Sequence, residues 1–225
     1  MTFLHADSAR AELIKAAKSL SASGVLFRGE HANLSARIEG DLVVITRGGS
    51  IANLSESNFA TVTLQGETVE GEIDSVTAEI VEMHTAVYRA RESVGSIMHV
   101  HAPHATAFAV AHQAIPVAYE PLVRFGITEP IPVVPWAPRG SEASVGGIVQ
   151  IVEKHPGLPA VLLANHGVLA FTSNPMQTAH LLATLDEAAE LVLNARVLGG
   201  EKELPEEALA QVKKHMAQFG SKVMA

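Results

Sequence analysis

The nine residues 96–104, which read Ser-Ile-Met-His-Val-His-Ala-Pro-His, constrain the fold more than any other stretch of the chain. Ile97 and Val100 favour a β-strand, and side chains on a strand alternate between its two faces. His99 and His101 therefore project to the same side as Ile97, with the imidazoles roughly 7 Å apart along the strand. At that spacing both imidazoles can bind one divalent ion. The alternative is two separate histidines at a strand end, each satisfied by backbone hydrogen bonds.

The composition limits the ligands for such an ion and the partners of the chain. No cysteine is present, which leaves His, Asp and Glu to bind zinc, manganese or cobalt. The formal net charge of -8 argues against a nucleic-acid partner, because such a partner favours a basic face. The apolar stretches are too short to span a membrane and the start is unlike a signal peptide, so we expect a cytoplasmic protein. A length of 225 residues suits one domain over residues 1–225.

The apolar pattern alternates helices with short strands. Helices are predicted over residues 8–22, 76–91, 105–111, 141–154, 175–197 and 205–219. Strands are predicted over residues 41–46, 58–65, 68–73, 130–135, 160–164 and 168–171, and around His99 in the segment that Pro103 bounds. The strands around Gly66 form a hairpin in a sheet open on one side, and the proline-bounded strand is an edge strand. Asp7 or Ser8 is expected to cap the first helix, and Asp74 or Ser75 the second.

The second predicted helix directs one carboxylate towards a site. At 100° per residue, its apolar stripe holds Ile80, Met83, His84, Val87 and Tyr88. Glu79 lies at the edge of this stripe in the first turn, whereas Glu82 points nearly opposite it. Geometry therefore favours Glu79 if one carboxylate of this helix enters a site. The alternative is that both are solvated helix charges and that His84 is a core histidine.

Three polar segments are candidates for binding a ligand. Asn33 and Ser35 either close a turn through side-chain to backbone bonds, which we favour from the residues alone, or present donors to a ligand. Gly48 and Gly49 follow a strand and form a tight turn, the commoner case, or open their backbone amides to an anion. His166 lies on an Asn-His-Gly turn between two buried strands. It is poorly placed for packing and well placed for a site.

These motifs follow one another over most of the chain. In order they are Gly-x-x-x-Asn33-x-Ser35-x-Arg37, the glycine pair, an acidic residue that opens a helix, His99-x-His101 and Asn165-His166-Gly167. Together they resemble the class II aldolase/adducin-like family. The resemblance implies an α/β fold, namely a three-layer α/β/α sandwich with a mostly antiparallel central sheet. It also implies a homotetramer whose active sites lie between neighbouring subunits.

The resemblance further implies a zinc ion, or Mn²⁺ or Co²⁺ in its place, bound by His99, His101 and His166. Such an ion acts as a Lewis acid and stabilises the enolate that forms in retro-aldol cleavage. A nearby carboxylate then shuttles the proton. By resemblance that carboxylate is Glu79. Its distance in sequence from the following histidine is one residue longer than in the aldolases, so Glu82 stays as the weaker candidate.

Several positions differ from the family pattern for binding a substrate phosphate. The aldolases place a small hydroxyl residue before the Asn-x-Ser element, where this chain has Glu30 or His31. Of the two serines that precede the catalytic glutamate, at most Thr77 remains. Arg47 and the amides of the glycine pair can still bind an anion. We therefore expect Asn33, Ser35 and these groups to contact the substrate.

The proton donors of the family also differ in this chain. The aldolases use tyrosines from a neighbouring subunit, and Tyr119-Glu120 stands near the first of these positions with an offset of about one residue. The C-terminal tyrosine is replaced by Phe219. His104, three residues beyond the His-x-His pair, is expected to lie in the pocket wall or just behind it.

The function expected from these features is a metal-dependent lyase that cleaves or forms a carbon–carbon bond by retro-aldol chemistry. Its substrate is a small hydroxy-carbonyl or sugar-phosphate-like compound. The alternative on the same fold is decarboxylation of a hydroxy acid, aliphatic or aromatic, with epimerisation and dehydration as further variants. A non-catalytic, adducin-like assembly module is the last alternative. The presence of all three histidines argues against it.

Overall fold

The computed structural model describes residues 4–26, 31–212 and 214. Over this part of the chain, it contains eight β-strands, five α-helices and a further helical stretch at 206–212. The helices are α1 (Ala6–Ser23), α2 (Ala78–Ala90), α3 (Pro103–Val110), α4 (Glu142–Lys154) and α5 (Pro175–Val197). The strands are β1 (Ala32–Ile38), β2 (Leu42–Thr46), β3 (Phe59–Thr63), β4 (Thr68–Glu70), β5 (Ser96–Val100), β6 (Val133–Val134), β7 (Ala160–Leu163) and β8 (Gly167–Thr172). Short 3₁₀ helices cover Glu56–Asn58, Ser75–Thr77 and Glu120–Phe125.

All eight strands form one sheet, in the order β4-β3-β2-β1-β5-β8-β7-β6. The pair β6–β7 is parallel and the other neighbouring pairs are antiparallel, as predicted for a mostly antiparallel sheet. β6 is an edge strand, as the flanking prolines predict, because proline cannot donate to a second neighbour. β5 lies in the middle of the sheet and carries His99.

The buried apolar residues form two clusters, one on each face of the sheet. On β5, Met98 and Val100 belong to the cluster that also contains residues of α1, α3 and α5. Ile97 belongs to the other cluster, together with residues of α2 and α4. Because side chains alternate along a strand, His99 faces the same side as Ile97. The histidine pair therefore lies on the face covered by α2 and α4.

The predicted starts of the first two helices are wrong. α1 begins at Ala6 with His5 as its N-cap, and neither Asp7 nor Ser8 caps it. α2 begins at Ala78, two residues later than predicted, because a 3₁₀ helix occupies Ser75–Thr77. The N-cap of α2 is the last residue of that 3₁₀ helix, and it makes no side-chain cap bond.

The hairpin of β3 and β4 is antiparallel as predicted, but the sheet is not open on one side at β3. Phe59 packs into one apolar cluster and Val62 into the other, so both faces of this strand are covered. β4 is short and exposed. The alternation of apolar and polar residues in β3 therefore does not tell which faces of the strand are buried. The helices that pack on either side of the sheet decide this.

The C-terminal helix predicted over residues 205–219 is helical at 206–212, and most of the remainder lies outside the described residues. Glu30 and Phe219 also lie outside them. Among the residues that the structure describes, no helix is both long enough and apolar enough to cross a membrane.

Candidate active site

Three histidines meet at the end of β5. His99 belongs to this strand, His101 follows it, and His166 lies in the turn between β7 and β8, which pairs with β5. The ring centroids of the three imidazoles are 4.6–5.1 Å apart. One ligand atom from each ring lies within 4.8 Å of the others. This histidine cluster can accommodate a single metal ion.

The Asn-His-Gly turn holds His166 in place. Asn165 has a φ of 57°, a left-handed conformation that asparagine tolerates better than most residues. Its Oδ1 accepts a hydrogen bond from Nε2 of His112 at 2.6 Å. A Cβ atom at Gly167 would lie 2.6 Å from the Val100 carbonyl oxygen and 2.9 Å from the His101 ring. Only glycine therefore lets β8 approach β5 this closely.

The chemical state of the cluster suits a divalent ion. Nδ1 of His99 donates to the Val168 carbonyl at 3.0 Å. Its Nε2 is buried and has no hydrogen-bond partner among the described residues. Burial, together with His166 and His101, lowers the pKa of His99 well below its ordinary value. A neutral ring with a free lone pair close to two further imidazoles is what a zinc ligand requires.

The other two imidazoles are also neutral near pH 7. Burial is the main cause that lowers the pKa of His166, and together with His101 and Arg139, against an opposing effect of Glu79, it brings that pKa to about 4. Burial likewise lowers the pKa of His101, with contributions from His31 and Arg139. Three neutral imidazoles without a thiolate fit zinc, manganese or cobalt.

The histidine cluster opens into a cavity of about 430 Å³. Its polar and charged lining consists of His31, Asn33, Ser50, Thr77, Glu79, His99, His101, Arg139, Ser144 and His166. Ile80, Met83, Val145 and Leu163 supply apolar walls. The cavity is large enough for a small molecule, and polar groups converge on it from α2, β1, β5 and the segment before α4.

Glu79 is the carboxylate of α2 that enters this cavity, as the helical geometry predicts. Both Nε and Nη2 of Arg139 contact its Oε1 atom. Glu82 is exposed and pairs instead with Arg89 along the same helix. The structure thus separates the two candidate carboxylates.

A buried hydrogen-bond network lies behind the cavity. Asn33 and Ser35 belong to β1, so the favoured interpretation of a polar turn is wrong. Oγ of Ser35 lies 2.7 Å from Nδ1 of His84 and 2.8 Å from the hydroxyl of Tyr88. Nε2 of His84 lies 2.6 Å from Oδ1 of Asn33. His84 is thus a core histidine that supports a residue of the cavity wall.

A family model for the class II aldolase and adducin N-terminal domain matches residues 11–193. The chain belongs to this family. Its sequence is 28% identical over 182 residues to a 5-methylthioribulose-1-phosphate/5-deoxyribulose-1-phosphate aldolase of Escherichia coli, covering 81% of this chain and 82% of the relative. It is 27% identical over 199 residues to a 3-oxo-tetronate 4-phosphate decarboxylase of Pectobacterium atrosepticum, covering 86% of each. A solved L-fuculose 1-phosphate aldolase superposes with a TM-score of 0.83 at 26% identity, covering 96% of this chain and 98% of the other.

The resemblance to the class II aldolases that the motifs indicated is therefore confirmed. The aldolase fold with its mixed, mostly antiparallel sheet is confirmed as well. The roles of individual residues in this site stay predictions. Similarity of sequence and fold shows the family, whereas each role depends on where the side chain lies in the cavity and on its chemistry.

The structure places part of the predicted anion site outside the cavity. Gly49 lines the cavity, but Gly48 and Arg47 do not. Nη2 of Arg47 lies 3.5 Å from Glu72 and 3.8 Å from Asp74. The two carboxylates beside this arginine draw it away from the cavity, which corrects the expected contact of Arg47 and Gly48 with a substrate.

Thr77 lines the cavity, yet its hydroxyl is occupied by the backbone. Its Oγ1 lies 2.7 Å from the Arg47 carbonyl oxygen and 2.9 Å from that of Asp74. Ser35, the other hydroxyl expected to contact a substrate, is fully buried behind the cavity wall. Both side chains hold neighbouring segments in place, and the expected contact of Ser35 with a substrate is wrong.

His104 does not line the cavity, so of its two expected places the one in the pocket wall is wrong. It is the second residue of α3, where its Nδ1 lies 2.9 Å from Oδ2 of Asp186 on α5. Its backbone amide donates to Oδ1 of the same carboxylate at 2.8 Å. The start of α3 turns the side chain towards α5 and away from the histidine cluster.

Tyr119 and Glu120 do not line the cavity of their own chain. Glu120 is exposed and lies 3.8 Å from Arg124. The family pattern assigns these positions to the site of a neighbouring subunit, so their contribution stays a prediction.

Sequence reasoning missed Arg139 as a member of the site. The chain offers one signal for it, a Pro-Arg-Gly-Ser turn directly before α4. An arginine in such a turn is ordinary on a surface, and only the approach of α2 gives it a partner. His31, named only as a departure from the family pattern, also lines the cavity.

Proposed function

We propose that this chain is a divalent-metal-dependent lyase that cleaves or forms a carbon–carbon bond by retro-aldol chemistry. The observation that carries the proposal is the convergence of three neutral imidazoles with one carboxylate, Glu79, in a cavity of about 430 Å³. Its relatives include sugar-phosphate aldolases and a decarboxylase. The substrate class that follows is a small hydroxy-carbonyl compound.

His99, His101 and His166 would hold the ion, for which we propose zinc, with manganese or cobalt as substitutes. When bound, the ion supplies Lewis acidity that stabilises negative charge developing on the substrate. The unpartnered Nε2 atom of His99 supports this assignment. The bond from its Nδ1 to the Val168 carbonyl orients the ring for this purpose.

Glu79 is the proposed general acid and base. It lies on the first turn of α2, and its side chain is 30% exposed, so it is accessible from the cavity without being freely solvated. A carboxylate in such a position accepts a proton from one carbon or oxygen atom and returns it to another. Asn33 is the proposed donor that orients a substrate oxygen, because it lines the same cavity.

Decarboxylation of a hydroxy acid is the second candidate. Arg139 favours it, because a guanidinium beside the histidine cluster can bind the carboxylate of an acid. The similarity to the 3-oxo-tetronate 4-phosphate decarboxylase also supports it. Both candidates use the same ion and the same carboxylate, and they differ in the bond that breaks.

We also propose that residues 1–225 form one domain with three layers, α/β/α. The two apolar clusters on opposite faces of the sheet support this arrangement. As in the family pattern, we propose a homotetramer in which Tyr119 and Glu120 complete the site of a neighbouring subunit. These positions lie apart from the cavity of their own chain, as such an arrangement requires.

Metal analysis of protein purified without chelator tests the proposal. We expect about one equivalent of a divalent ion per chain, and His166→Ala should lose it together with turnover. His180→Ala, an exposed histidine of α5, is the matched control and should keep both. A product panel then separates the candidates by release of an aldehyde or of carbon dioxide. Wild-type protein without bound ion after reconstitution with zinc would refute both.

A further inference from the structure

Arg139 carries the one permanent positive charge among the described residues that line the cavity. Its side chain is 59% exposed. It also borders a second cavity of about 380 Å³, which His101, His166 and Trp136 line as well. The guanidinium therefore lies between the histidine cluster and the solvent, where a charged group of a bound molecule would meet it.

The backbone of Arg139 is held by a tight turn. The Ser141 amide donates to the Pro138 carbonyl at 3.0 Å, and Gly140 has a φ of 73°. Glycine with positive φ at the third position is typical of a type II turn. A Cβ atom at Gly140 would lie 2.9 Å from Oε2 of Glu79, so the turn packs directly on this carboxylate. Ser141 then caps α4, which fixes the far end of the turn.

The guanidinium of Arg139 already binds a carboxylate in this structure, that of Glu79. A planar fork of N–H donors suits carboxylates in particular. Arg139 also lines the same cavity as His101 and His166. A carboxylate on a molecule held at the histidine cluster would therefore be within electrostatic reach of this fork.

The glycine pair after β2, of which only Gly49 lines the cavity, is poorly suited to a multiply charged anion. Asp74 lies beside Gly48, with Oδ2 2.9 Å from where a Cβ atom of that glycine would be. Glu72 and Asp74 both pair with Arg47 and compensate its charge. These carboxylates would repel a phosphate dianion there. The charges therefore favour an anion at Arg139.

We propose that Arg139 determines substrate specificity by binding a carboxylate of the substrate, so that this chain acts on hydroxy-carbonyl acids. This inference rests on the proposed lyase function and narrows its substrate class. The carboxylate of the substrate replaces that of Glu79 on the guanidinium fork, one negative charge for another. Glu79 is then released from its ion pair and available to move a proton.

Calorimetric titration of zinc-loaded protein with glycolate and with malate tests this inference. Glycolate carries one hydroxyl and one carboxylate, and malate adds a second carboxylate. We expect malate to bind about 10–100-fold more tightly than glycolate, as one charge-assisted contact implies. Arg139→Gln should abolish that preference by weakening malate alone. Arg139→Lys should give an intermediate preference, because lysine keeps the charge but not the fork.

Arg196→Gln is the matched control, because this arginine of α5 forms an ion pair with Glu201, beyond the end of that helix, and does not line the cavity. It should keep the full preference for malate. Equal weakening of both ligands in Arg139→Gln, or no preference in the wild type, would overturn the inference. So would tighter binding of inorganic phosphate than of malate that depends on Arg139. Zinc content of the same samples separates the two proposals: bound zinc without a preference refutes only the role of Arg139, and absence of zinc refutes the lyase.

Discussion

Nε2 of His84 lies 2.6 Å from Oδ1 of Asn33, and this bond decides which end of the asparagine amide faces the cavity. Burial lowers the pKa of His84 to about 3, so its ring is neutral and carries a single N–H. Since Oδ1 can only accept, that N–H is on Nε2, and Nδ1 accepts from the Ser35 hydroxyl. Tyr88 donates in turn to Ser35. The amide nitrogen of Asn33 is left as the donor for a ligand.

Loss of His84 should therefore act through Asn33. We expect His84→Leu and Asn33→Ala each to raise KM about 10-fold, the equivalent of one hydrogen bond, for the substrate that the product panel identifies. The double variant should be little worse than either single one, because both remove the same interaction. Zinc content should stay at the wild-type level in all three. Additive effects in this double-mutant cycle would contradict the arrangement.

Replacement of Glu79 by glutamine should separate chemistry from metal binding. Glu79→Gln is expected to keep the ion and to lower kcat by about 10²–10⁴-fold, because glutamine cannot carry a proton between atoms. Glu82→Gln is the matched control on the same helix, since this side chain is exposed and pairs with Arg89. It should change kcat less than twofold. A larger loss in Glu82→Gln than in Glu79→Gln would reverse the assignment.

Acid should destabilise the folded chain through His84. Its pKa is about 3 in the folded state, against an ordinary value of 6.5. Between these values the unfolded chain binds a proton here that the folded chain does not, so the free energy of unfolding falls as the pH falls. The slope of the free energy of unfolding is about 1.4 kcal/mol per pH unit for this one group. Above pH 6.5 His84 is neutral in both the folded and the unfolded chain, so the loss of stability is absent there.

Urea unfolding of metal-free protein at pH 7, 6 and 5 measures this slope. The three cluster histidines also have lowered pKa values and act in the same direction. The difference between wild type and His84→Leu therefore isolates the contribution of His84. Parallel pH dependence in the two proteins would show that His84 does not contribute.

Asp186 should stabilise the start of α3. Its Oδ1 accepts from the backbone amides of His104 and Ala105, both at 2.8 Å, and its side chain is 8% exposed. Asp186→Ala leaves these donors without a partner and should lower the free energy of unfolding by about 1–3 kcal/mol. Glu190→Ala is the control. Glu190 lies on α5, as Asp186 does, and its exposed carboxylate is 3.9 Å from the His104 ring. An equal loss in both variants, measured by urea unfolding, would argue against the capping role.

The positions of the main elements could be predicted from local patterns. Gly24, with a φ of 78°, ends α1, and Asn174 caps α5 with Pro175 at its first position. The common facing of His99 and His101 follows from the period of a strand. That Glu79 enters the cavity in preference to Glu82 follows from the period of a helix.

Contacts between distant segments could not be predicted in this way. The interpretation of Asn33 and Ser35 as turn residues failed, because their partner His84 lies about fifty residues away and reaches them only when α2 packs on β1. Likewise, Asp74 draws Arg47 away from the cavity. Such contacts form only when two distant elements pack together. The local sequence pattern of either element gives no information about that packing.

The sequence by itself therefore determined the order of the elements, the family and the set of three histidines, because alternation, glycine and proline act within a few residues. Only the tertiary structure decided which polar groups share the cavity with them. Packing of α2 and of the segment before α4 on one face of the sheet brings Arg139 onto Glu79 across sixty residues of chain. Burial of apolar residues elsewhere drives this packing, so the contact cannot be predicted from the two charged residues themselves.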